Sequence, residues 1–122
     1  MGSHPINLTI RFLLELSTLL AMGVWGWRQS EGWFRFVLAF GIPLLFAVVW
    51  GVFAVPNDPS RSGKAPVPVP GIVRLILELT FFAIGTWMLY QMGYPRLSLI
   101  FGTVVVVHYL VSYDRIGWLI QQ

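Results

Sequence analysis

From Phe36 to Val55 the chain carries no charged side chain, and every residue is apolar apart from two glycines and a proline. A helix crossing the hydrocarbon core of a bilayer, about 30 Å thick, needs roughly 20 such residues at about 1.5 Å each. Leu97 to Tyr113 is also uncharged, and Leu8 to Trp27 and Gly71 to Met92 each hold only one arginine and one glutamate. Four transmembrane helices are therefore predicted near 8–28, 36–55, 71–92 and 97–113. No long apolar–polar alternation marks a barrel, and four strands could not close one. Composition agrees with the helical reading: 57% of residues are hydrophobic and 11% charged, with mean hydropathy +0.74. Soluble domains are roughly one quarter charged, so a soluble enzyme, a disordered chain and a coiled coil are all excluded. The first segment does not read as a cleavable signal, because it lacks a basic leader and Arg11 and Glu15 interrupt its start.

The connections are short. Arg28 to Arg35 is a polar turn, and Met92 to Arg96 is broken by Gly93 and Pro95. Between them runs Pro56 to Pro70, which holds five of the eight prolines and so resists helix and favours extended backbone. It is read as a linker between two hairpins, with a coil expected over 56–70. Pro43 lies inside the second span and is expected to kink it.

Ile10-Arg-Phe-Leu-Leu-Glu-Leu16 aligns with Val73-Arg-Leu-Ile-Leu-Glu-Leu79, arginine on arginine and glutamate on glutamate. The chain is thus expected to be a single all-α membrane domain over 1–122, a four-helix bundle of two tandem hairpin repeats, 6–55 and 71–122, joined by the linker 56–70. Two spans per repeat give both copies the same orientation, with the pseudo-two-fold axis along the membrane normal. Glu15 and Glu78 then sit at equal depth, roughly 10 Å into their spans, and the cost of a charge in lipid turns both inward.

The duplicated Arg-x-x-x-Glu, together with Trp50-Gly-Val-Phe-Ala-Val-Pro56 ahead of a proline-rich linker, resembles the YrdB-like family of small bacterial membrane proteins over essentially the whole chain. The resemblance implies a four-helix protein of the bacterial cytoplasmic membrane. The family has no assigned function, and so no functional residue is carried over.

Candidate site residues come from the spans. Arg11–Glu15 and Arg74–Glu78 are i,i+4 pairs, each on one helix face. They suit either a clamp, in which arginines reach their own and the opposite glutamate, or a site for a proton, a cation or a polar ligand. The contact between repeats is the expected one, because it joins the hairpins. Trp25 and Trp87, with Phe82, are the proposed aromatic walls of a central pocket, although Trp25, Trp27, Trp33, Trp87, Tyr90 and Tyr94 also fit an interfacial belt. His108 lies inside the fourth helix, either as a satisfied core histidine or as a ligand. Met1-Gly-Ser-His4 has the look of a cloning remnant, so His4 is set aside. Asp114-Arg115 reads as a boundary pair with the arginine reaching the headgroups. Ala47-x-x-x-Gly51 and Ser98-x-x-x-Gly102 permit close helix approach inside the bundle.

No cofactor or metal is expected. Cysteine is absent, one histidine supplies at most one haem ligand, and Met22, Met88 and Met92 have no metal spacing. No nucleophile sits at base–nucleophile spacing, so an enzyme is not the expected reading. The pI of 9.8 reflects a net charge of only +3 with no basic cluster, which leaves nucleic acid without a footprint. The partners anticipated are the bilayer, a small lipophilic or cationic ligand, and a homo-oligomeric or other membrane partner. Arg11, Arg61, Lys64, Arg74 and Arg115 on the linker side, against Arg28, Arg35 and Arg96 on the other, point to cytoplasmic termini. Three roles stay open: a transporter-like or ligand-binding bundle, a structural or accessory subunit, and a membrane enzyme acting on a lipid-soluble substrate with the paired acids.

Overall fold

The computed structural model describes residues 5–56 and 66–122. Helix α1 spans Pro5–Arg28 and α2 spans Phe34–Val52. A short strand β1, Phe53–Ala54, pairs in parallel with β2, Val67–Pro68. Helix α3 spans Gly71–Gln91, α4 spans Pro95–Val111 and α5 spans Tyr113–Gln121. Arg61 and Lys64 of the linker, and His4, lie outside the described residues.

Three of these helices are long and apolar enough to cross a membrane: α1, α2 and α3. The predicted fourth span is reached only if α4 and α5 are taken together as one bent span. Helix α4 has 17 residues, about 26 Å at 1.5 Å each, slightly short of the hydrocarbon core. The chain then bends by 68° into α5. The break falls at Ser112, whose Oγ accepts from Asn7 Nδ2 at 2.6 Å and whose carbonyl accepts from the Arg115 amide at 2.9 Å. The second helix also stops earlier than predicted, at Val52 rather than Val55, because Phe53 turns extended and joins the β1–β2 pair. Of the coil expected over 56–70, residues 57–65 lie outside the described residues; near its end the Val69 amide donates to the Ala54 carbonyl at 2.9 Å. Pro43 is accommodated within one continuous α2.

The α3–α4 turn is dictated by its sequence. Gly93 takes φ +91°, a left-handed position that glycine fills without a Cβ penalty. Its amide bonds the Tyr90 carbonyl and the Tyr94 amide bonds the Leu89 carbonyl, both at 3.1 Å. This closes the end of α3 as a Schellman motif, and Pro95 starts α4 where a missing N–H costs nothing.

Packing is uneven. Helices α1 and α3 form the central pair, α2 lies along α1, α4 lies along α3, and α5 folds under α3. Met22, Thr18 and Phe82 are fully buried along the central seam. Gly71 allows α5 to close against α3: a Cβ there would collide with the Leu119 carbonyl. By contrast, no residue of α2 is buried. Ala47 is exposed and Gly51 has open space around it, so that small-residue pair does not pack inside the bundle. Ser98 and Gly102 do pack, since Ser98 Oγ donates to the Thr86 carbonyl at 2.7 Å and Gly102 faces the Thr86 methyl. Leu20, Phe40, Leu44, Leu99 and Leu110 are all more than 60% exposed, a girdle of apolar surface far beyond what a soluble monomer carries. The helices are compatible with a membrane protein on both length and surface.

Candidate functional site: a buried three-arginine, one-glutamate cluster

The α3 segment that repeats Arg-x-x-x-Glu places Arg74 one turn before Glu78 on the face buried against α1, α4 and α5. Glu78 is completely buried. Its Oε2 takes the Arg74 Nε at 2.8 Å, an Nη of Arg11 at 2.8 Å and an Nη of Arg115 at 2.6 Å. Its Oε1 accepts from the Tyr109 hydroxyl at 2.9 Å. One carboxylate thus binds groups from α1, α3, α4 and α5. Arg11 also approaches the Tyr109 hydroxyl at 3.4 Å.

Arg74 extends the cluster to α2. Its Nη1 donates to the carbonyls of Trp50 and Phe53, at 2.5 and 2.8 Å. These are carbonyls at the end of α2, where the helix dipole is negative and a cation is favoured. Its guanidinium carbon lies 4.3 Å from the centre of the Trp50 ring, and that of Arg11 lies 5.5 Å from it, both within cation–π range. Trp50 in turn packs on Phe81 at 4.6 Å and Phe82 at 5.7 Å.

The glutamates are not equivalent. Glu15 is 23% exposed, and its ion-pair contact is to Arg11 Nε at 3.4 Å. The expected contact between the two halves exists as Arg11–Glu78, whereas Glu15 keeps only its own arginine among the ion pairs of the described residues. The expected cluster of two arginines and two glutamates is neutral. Among the described residues, the observed one sets three arginines on Glu78 with Glu15 beside Arg11, and the α2 carbonyls and Trp50 face also hold Arg74.

Arg115 corrects the sequence expectation most clearly. It does not reach the headgroups: it is 5% exposed and bound to Glu78. No local signal marks this, because the bend at Ser112 that turns Arg115 back under α3 is a tertiary effect. Tyr109 and the Trp50 ring join the site without being among the residues expected there. The periodicity holds a clue to Tyr109, which stands four residues after buried Val105 on the same α4 face.

Other candidates separate. Trp25 and Trp87 contact each other, with ring centroids 6.2 Å apart. They lie toward the far ends of α1 and α3, roughly 21 Å of helix rise from Arg11 and 13 Å from Glu78, and Trp87 is half exposed. They do not wall a pocket at the glutamates, whereas Phe82 does lie beside the cluster, 6.1 Å from the Tyr109 ring. His108 is 4% exposed, stands edge-on to Tyr109 at 5.5 Å, and has no hydrogen-bond partner at either ring nitrogen among the described residues. Among the described residues no group of three or more His, Cys, Asp or Glu is placed to hold a metal.

Residues 9–106 match the model of a family described as "Protein of unknown function (DUF2568)". The chain belongs to this family. It is also 41% identical over 119 residues to "Uncharacterized protein YrdB" of Bacillus subtilis (strain 168), a match covering 98% of this chain and 97% of that one. The YrdB-like resemblance carried by the Arg-x-x-x-Glu and Trp50–Pro56 stretches is thereby borne out. No solved structure matches the chain.

Proposed function

We propose that this YrdB-like chain is a multi-pass protein of the bacterial cytoplasmic membrane that serves as a structural or accessory subunit, built from a duplicated helical hairpin. The saturation of Glu78 carries this reading. A carboxylate that binds protons or substrate in a transport cycle needs a path and a spare lone pair. Glu78 has three guanidinium contacts and a phenol, and no exposed surface. Buried ion-pair networks that join several helices can fix register and helix order. Helix α2 complements the clamp. It has the highest hydropathy of the spans, 2.0, and leaves every residue at least partly open to a neighbour.

The test has two arms. Purified protein reconstituted into vesicles with an internal pH dye should pass no more protons or lipophilic cation than empty vesicles. A photoreactive amino acid at Phe40, on the outward face of α2, should give a discrete crosslinked protein band in native membranes. Uptake that depends on Glu78 would overturn the proposal in favour of a transporter.

One observation favours a second, ligand-handling reading. Glu15 is a partly open carboxylate within a span, and intramembrane acids of that kind are functional candidates. On this reading Glu15, not Glu78, binds the proton or cationic ligand. The orientation proposed from charge also changes footing. Arg11, Arg74 and Arg115, three of the five linker-side cations, are all spent on Glu78. Because the chain has no cysteine, single cysteines at Ser30 and Gln122 can be labelled from either side without background. Cytoplasmic termini require Ser30 to react from outside and Gln122 only after permeabilisation.

A further inference from the structure

At the end of the molecule away from Glu78, α1 and the α3–α4 turn leave an apolar groove of about 360 Å³. Ser17, Ala21 and Val24 form one wall, and Leu89, Met92 and Phe101 form the other. It runs beside α1 from Ser17 to Val24, about 10 Å of helix, and Tyr94 lines it as well. Arg28 stands at that tyrosine. Its guanidinium donates to the Tyr94 hydroxyl at 2.6 Å and to the Met92 carbonyl at 3.0 Å, and lies 5.2 Å from the Tyr94 ring. Those bonds use two of five N–H donors, and the side chain is exposed. Among the described residues no carboxylate lies within ion-pairing distance of Arg28. Arg96, also exposed, adjoins Leu97 of the groove lining.

The aromatic residues set the depth. Trp25 and Trp87 meet at this end, and Trp25 Nε1 donates to Gln91 Oε1 at 2.5 Å. Paired tryptophans beside tyrosines and arginines mark the headgroup level of a bilayer. The groove therefore runs from a cationic mouth at headgroup depth into the hydrocarbon. Its shape and charge match one molecule type, an apolar chain ending in an anion.

We propose that this groove binds an anionic phospholipid, with one acyl chain lying along Ser17–Val24 and its phosphate on the free donors of Arg28. The proposal rests on the membrane reading above and is independent of the Glu78 clamp. Arginine suits the role because its planar fork offers paired donors to a phosphate while two other N–H groups stay fixed on Tyr94 and Met92.

The full chain in detergent micelles, analysed by native mass spectrometry, decides the matter. The probes are phosphatidylglycerol and phosphatidylcholine with identical palmitoyl and oleoyl chains. Wild type should retain one phosphatidylglycerol, with an apparent Kd about tenfold below that for phosphatidylcholine, the fold-change worth about 1.4 kcal/mol. Arg28→Gln should erase the difference, and Arg28→Lys should keep part of it. Val24→Phe, which fills the groove and keeps the Arg28 guanidinium, should weaken both lipids. Equal retention of the two lipids by wild type, or a preference surviving Arg28→Gln in protein of wild-type Tm, would overturn the site. So would a dimer that excludes lipid and dissociates in Val24→Phe, since the groove would then belong to a second copy. A chain that stays monodisperse without detergent and binds neither micelle nor vesicle would sink the membrane reading itself.

Discussion

Replacing Glu78 by glutamine changes one atom and leaves the side-chain shape intact, so the effect reports charge rather than volume. In wild type the carboxylate is buried with three arginines on one oxygen. Glutamine still accepts one or two of those bonds through its carbonyl, but its NH₂ faces donors, and the arginines lose their counter-charge. Breaking a buried ion pair from one side costs about 3–5 kcal/mol, because the remaining charge stays buried. For a chain of this length each kcal/mol moves Tm by about 3–5 °C, so a fall of about 10–20 °C is expected. Glu15→Gln is the internal control. Among the described residues Glu15 is 23% exposed with a single 3.4 Å contact, and Arg11 keeps Glu78 as a counter-charge when Glu15 is lost. Its Tm should move by less than about 5 °C. Sequence symmetry alone makes the two variants equivalent; the structure makes them differ severalfold. Thermal unfolding in detergent, monitored by tryptophan fluorescence, measures both. Equal shifts for the two variants would refute the reasoning, and so would a Glu78→Gln protein as stable as wild type.

Other perturbations address separate links. Arg115→Gln should release α5, seen as faster amide hydrogen exchange over Tyr113–Gln121 with little change in α1–α2. Gly71→Ala should give the same signature with every charged side chain kept, because its Cβ collides with the Leu119 carbonyl. Trp50→Leu should cost about 1–3 kcal/mol more than Trp50→Phe, since only an aromatic face holds the guanidiniums; paired Tm values check the order. A hydrophobic carbodiimide, which attacks protonated carboxyls from the lipid side, should modify Glu15 and spare Glu78; peptide mass mapping reads the adduct, and the reverse pattern would exchange the roles assigned to the two acids.

The chain's long uncharged runs make α1, α2 and α3 readable, because a bilayer crossing is a matter of length and polarity alone. Arg11, Arg74 and Glu78 are readable for a related reason. Charges inside such runs must find one another, and i,i+4 spacing puts them on one face. Arg115 escapes because its position depends on a 68° bend, at a junction where Ser112 is bonded by Asn7 from across the molecule. No local pattern encodes a hydrogen bond between the first helix and the junction before the last. Trp50 escapes for the opposite reason. Its aromatic character fits an apolar span so well that its second use, as a shelf for two arginines, leaves no trace in the pattern.

The inequality of the two glutamates originates in the segment that succeeds each hairpin. After α2 the chain extends into β1, and the cation that meets it is Arg74, through main-chain carbonyls. After α4 the chain continues as α5, which brings its own cation, Arg115, back to Glu78. Among the described residues, the second acid therefore gains an arginine from the segment after its hairpin and the first does not. Arg11 is then drawn to the more deeply buried carboxylate at 2.8 Å and holds Glu15 only at 3.4 Å. Of the two acids in the Arg-x-x-x-Glu segments, Glu78 is saturated and Glu15 is partly open. Only the open one retains the access that chemistry would require. A variant that removes the competing charge, Glu78→Gln, should return Arg11 toward Glu15 and reduce the reactivity of Glu15 with the carbodiimide. An unchanged or increased rate of modification at Glu15 would show that its openness comes from the α1–α2 packing and not from competition for Arg11.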